Sequence, residues 1–137
     1  MLRNICAVVV GLIAGMAFNM ALVILNNALY PMPEAAFRND VEALEVYISN
    51  LPLLAFLIIL IAHVGQAFFG GLIAAVISKN SAMLCAMIVG TLSLIAGGFN
   101  MIAMMLPGWM SIEFPLYLIA SYVAAKLVLN RRAASAT

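Results

Sequence analysis

Apolar residues fall in four long runs, Ile5–Leu29, Leu53–Ile77, Met83–Leu106 and Ile112–Leu129, broken by short polar or proline-bearing segments. A helix needs roughly 20 apolar residues to cross about 30 Å of hydrocarbon, so each run qualifies or nearly so. None shows the alternation of apolar and charged faces that marks a helix on a soluble core. The pattern predicts an all-α integral membrane protein, an antiparallel bundle of four transmembrane helices forming one membrane domain over residues 1–137.

The connections have their own signals. Pro31 and Pro33 fix φ and remove backbone donors, so the first helix ends near Tyr30. The outer loop 31–50 holds a short amphipathic helix. Asn39 is its expected N-cap, with Glu42 three residues on in a capping-box pattern. Val41, Leu44, Ile48 and Leu51 share one face there, opposite Asp40, Glu42 and Glu45, so the helix rests on the membrane surface or the bundle. Asn50 and Pro52 read as N-cap and first-turn proline of the second long helix. Ser78-Lys79-Asn80-Ser81 is a tight turn that makes helices two and three antiparallel neighbours. Pro107-Gly108 breaks the chain again, and Trp109 suits an interface.

Composition strengthens the membrane reading. The chain is 67% hydrophobic and 8% charged, where soluble domains carry about a quarter charged residues. The first run exceeds the 7–15 residues of a signal-peptide core, so it reads as an uncleaved helix. A net charge of +1 gives no reason to expect nucleic acid as a partner. Arg3, Lys79, Lys126, Arg131 and Arg132 fall on one side of the bundle. Arg38 and all five acidic residues fall on the other. The positive-inside rule then places both termini in the cytoplasm, in a plasma (bacterial inner) membrane.

Helices in lipid associate through small residues and polar side chains. Gly11 and Gly15 on helix one, Gly70 and Gly71 on helix two and Gly97 on helix three are the expected packing positions. An echo of Leu12-Ile13-Ala14-Gly15 in Leu94-Ile95-Ala96-Gly97 hints at a duplicated hairpin. Asn19, His63, Gln66 and Asn100 form a polar layer from mid-membrane outward, with Asn26 and Glu113 at a possible entrance. Glu113 otherwise reads as a favourable charge at the start of helix four. His63 is the sole histidine, and an intramembrane ionisable residue is a functional hypothesis by default.

Other chemistry lacks its parts. His63 has no Cys or carboxylate at matching depth, so no metal or other cofactor is expected. Met101, Met104, Met105 and Met110 cluster, but methionine is common apolar filler. Cys6 and Cys85 read as buried small hydrophobes. No catalytic set appears, so the chain is not expected to be an enzyme. Two functions remain. One is a non-catalytic accessory or assembly subunit, or a self-associating bundle, whose partners are the lipid bilayer and other membrane helices, including its own copies. The other is a small oligomeric transporter or ligand-binding bundle with an outward-facing polar cavity around His63.

Overall fold

The structure, a computed structural model, describes residues 1–38 and 40–135. Among the described residues there are six α-helices: α1 (Leu2–Leu29), α2 (Glu34–Phe37), α3 (Val41–Asn50), α4 (Leu53–Ile77), α5 (Ala82–Ala103) and α6 (Glu113–Ala134). A 3-10 turn over Gly108–Ile112 leads into α6. Among the described residues there is no strand. Four helical stretches among the described residues are long and apolar enough to cross a membrane: α1, α4, α5, and α6 together with its 3-10 turn.

The central helix is α4, which packs against α1, α5 and α6. Close approach between α1 and α4 rests on absent side chains. A Cβ at Gly11 would lie 2.6 Å from the Gly70 carbonyl oxygen and 2.9 Å from Ala74 Cβ. Gly15 abuts the backbone of Gln66, and Gly97 abuts the Tyr117 ring in the same way. Gly71 lies against Ser121, whose hydroxyl donates to the Ala67 carbonyl of α4 at 3.1 Å.

The basic end is tied together by arginines from both ends of the chain. The last carbonyls of a helix have no partner within it. Arg132 supplies donors to the carbonyls of Ala75, Val76, Ser78 and Lys79 at 2.8–3.1 Å. Arg3 Nε donates to Ile77 O at 2.7 Å. Ser78, fully buried, donates to Asn4 Oδ1 at 3.1 Å and pins the turn to α1.

Several boundaries differ from the sequence expectation. The expected N-cap Asn39 lies outside the described residues. Asp40 caps α3, its side chain accepting from Ala43 N at 3.1 Å. On the face of α3, Leu44 and Ile48 are buried, but Val41 is 58% exposed. Asn50 ends α3 instead of capping α4, and its amide donates back to Val46 O. Helix α5 stops at Ala103, short of Leu106, where Met105 takes a left-handed φ of 49°. Helix α6 runs on to Ala134, because Arg131 and Arg132 are good helix formers although they end the apolar run. Cys6 is exposed, and only Cys85 is buried.

Candidate functional site: a buried acid–base pair beneath a cavity

Helix α6 does not begin level with α4. Ser121 bonds α4 at Ala67, and Arg132 reaches the last turn of α4. The two helices therefore run in the same direction, and the first residue of α6 meets α4 at His63, ten residues into that helix. The segment between α5 and α6 packs alongside the first turns of α4 instead. Leu106 and Met110 pack there with Leu44, Ile48 and Phe56. Trp109 sets its ring edge-on to Phe56 at 6.0 Å.

This offset brings Glu113 to His63. Glu113 is completely buried, and His63 is 6% exposed. His63 Nδ1 and Glu113 Oε2 are 2.8 Å apart. Tyr117, one turn along α6, donates its hydroxyl to Glu113 Oε1 at 3.3 Å, and its ring stacks near the imidazole with centroids 6.3 Å apart. On the other side of the imidazole, Asn100 Nδ2 approaches Nε2 at 3.4 Å. One proton arrangement satisfies all three contacts. Asn100 donates to Nε2, so the ring proton sits on Nδ1 and is donated to the Glu113 carboxylate. Glu113 then accepts from both His63 and Tyr117.

The polar layer expected from the sequence is thus two clusters. Asn100 belongs with His63. Asn19 and Gln66 belong to a second chain of bonds, in which Asn19 Nδ2 donates to Gln66 Oε1 at 2.7 Å and Gln66 Nε2 donates to Ser93 Oγ at 3.4 Å. This second cluster ties α1, α4 and α5 together. Glu113 is at no entrance, since burial makes it the floor of the first cluster. Sequence reasoning passed over this pairing because counting residues from a common membrane boundary puts Glu113 near the surface. The signal that could have found it is the run Met104–Ile112, apolar but broken by Pro107-Gly108, which has to be accommodated somewhere in the bundle.

Above His63 and Asn100 lies a partly open cavity of about 380 Å³, reaching towards α3. Its walls include Val23 and Asn26 of α1, and Tyr47 and Ile48 of α3. This volume falls in the range of small-molecule sites. Asn26 is 6% exposed, and among the described residues its Oδ1 has no hydrogen-bond partner. The roof is held down by polar contacts to the end of α1. Tyr47 OH donates to Tyr30 O at 2.7 Å, and Met32 N donates to Asn27 Oδ1 at 3.2 Å. Desolvation pushes the Tyr47 phenol above its ordinary value, which keeps it a donor.

Among known proteins, no family model, no curated protein and no solved structure matches this chain significantly. Its chemistry is read from its own geometry. A carboxylate and an imidazole shielded from water, with amides beside them and an apolar chamber above, can hold a proton and receive a small molecule.

Proposed function

We propose that this chain is a multi-pass membrane protein that binds a small, largely apolar molecule in the cavity above His63. We further propose that the molecule reaches the cavity from the side bearing α3. Exposed apolar residues along all four long helices, such as Ile13, Ile61, Ile95 and Ile119, favour lipid as the surrounding solvent. The observation that carries the binding role is the His63–Glu113 pair at the foot of the cavity. An ionised carboxylate is expensive at membrane depth. A proton or a ligand cation arriving from the cavity offsets that cost. Protonation of His63 also turns Nε2 from acceptor to donor, so Asn100 has to release it. Besides this pair, the titratable groups facing the region are Tyr117 below and Tyr47 in the roof. Ligand occupancy and protonation are thereby coupled, as a proton-linked transporter or sensor requires, and transport by so small a bundle calls for an oligomer.

The test is a thermal-shift screen of the purified chain with small apolar amines and alcohols, repeated with His63→Leu. Compounds should raise the unfolding temperature of the parent, by an amount that changes with pH, and leave a folded His63→Leu protein unmoved. Equal shifts in parent and variant would sink the proposal.

A second reading, an accessory or self-associating helix module, draws on the open face of α5. A Cβ at Gly98 would meet nothing within 4 Å, and Leu94, Phe99 and Ile102 border an open groove there. Purification from native membranes separates the two: a stoichiometric complex with another protein favours the module.

A further inference from the structure

Five basic residues gather where α1 begins and α4 and α6 end, and they are not equivalent. Arg3 and Arg132 are committed to the carbonyls that close α4. Lys126 lies 5.7 Å from the centre of the Tyr122 ring. Arg131 is exposed, and among the described residues no hydrogen bond or ion pair engages its side chain. Beside it a groove of about 410 Å³ runs between α4 and α6. Its walls are Leu72, Val76, Leu127 and Val128, and its polar end is Arg131 and Arg132. Among the described residues no Asp or Glu shares this end of the molecule, and Asp40 caps α3 at the other. Glu34, Glu42 and Glu45 belong to α2 and α3 at the opposite end, and Glu113 is buried midway.

An occupant complementary to this groove has an apolar tail and an anionic head on one molecule. A free anion would leave the four aliphatic walls uncovered, and a zwitterionic lipid would bring a second cation beside Arg131 and Arg132. We propose that the groove binds an anionic phospholipid, one acyl chain lying along Leu72, Val76, Leu127 and Val128 and the phosphate on Arg131. The planar guanidinium presents paired N–H donors at the spacing of two phosphate oxygens. Basic pockets between helices at a membrane surface recognise lipid head groups through this chemistry. The inference rests on the membrane reading above but not on the His63 cavity.

The experiment is native mass spectrometry of the full chain, released from mild detergent after equilibration with equal amounts of phosphatidylglycerol and phosphatidylcholine. Phosphatidylglycerol should be retained preferentially. Arg131→Gln should cut that preference about fivefold, the worth of one basic residue near an anionic surface. Val76→Trp, which fills the groove from its open side and leaves the charges alone, should lower retention of both lipids. Excess inorganic phosphate should not displace the bound lipid. Equal retention of the two lipids, an unaltered Arg131→Gln, or displacement by inorganic phosphate would each overturn the site. A chain recovered in the soluble fraction of a lysate would instead overturn the membrane reading itself.

Discussion

Glu113 is the residue on which the site turns, and its energetics are asymmetric. Removing one member of a buried hydrogen-bonded couple leaves the other unsatisfied, at about 1–3 kcal/mol, whereas replacing both with apolar residues is often close to neutral. Glu113→Leu leaves the His63 Nδ1–H without an acceptor and Tyr117 without its hydrogen-bond partner. It is expected to lower stability within that range, measured by unfolding in a graded denaturing detergent. The double variant His63→Leu with Glu113→Leu should recover much of the loss, since only the Tyr117 hydroxyl and the Asn100 amide are then left seeking partners. A double variant less stable than either single one would contradict the pairing. Glu113→Gln should do better than Glu113→Leu, because an amide oxygen still accepts from Nδ1.

At the scale of elements, the sequence told well where helices run and poorly where they sit. The second long helix occurs over Leu53–Ile77, as its apolar run implied, and the first ends before Pro31 as its prolines require. Hydropathy reports only that a segment is apolar. It does not report that α6 begins halfway along α4, because offset depends on how Met104–Ile112 fills the space above. Gly11, Gly15, Gly70, Gly71 and Gly97, expected as packing positions, each abut a neighbouring helix, and Gly98, not singled out in the sequence, meets open space. Gly11 and Gly98 make that difference testable. Adding a Cβ at Gly11 drives it into the Gly70 carbonyl, an overpacking cost of about 1–3 kcal/mol, against a gain of about 0.8–1 kcal/mol in helix propensity. Gly11→Ala should therefore destabilise the chain. Gly98→Ala meets open space and should stabilise it by up to about 1 kcal/mol. Unfolding midpoints that shift in the same direction for both variants would refute this account of the α1–α4 contact. Arg132→Gln, which deprives the carbonyls of Ala75, Val76, Ser78 and Lys79 of a charged donor, should cost about 1–2 kcal/mol in the same assay.

Across the whole molecule, charge is divided between two ends. The acidic residues of α2 and α3 lie at the end where the cavity opens, and Arg3, Lys79, Arg131 and Arg132 lie at the other. If the four long helices cross a membrane as proposed, an even number of crossings returns the chain to its starting side, so the start of α1, the end of α6 and the Ser78–Ser81 turn share one face and α3 occupies the other. Basic residues in short connections are retained in the cytoplasm, and on that rule we propose that the cavity faces the outside. The assignment can be read with single cysteines in a background carrying Cys6→Ala and Cys85→Ala. Glu45→Cys lies on the exposed side of α3, and Ser135→Cys lies just past the end of α6. A membrane-impermeant maleimide added to intact cells should label Glu45→Cys at once. It should label Ser135→Cys only after the membrane is opened. The reverse pattern would turn the cavity towards the cytoplasm, and the ligand would then have to come from the cell interior. Labelling of both from the same side would exclude four crossings, and with them a buried His63–Glu113 pair at mid-membrane.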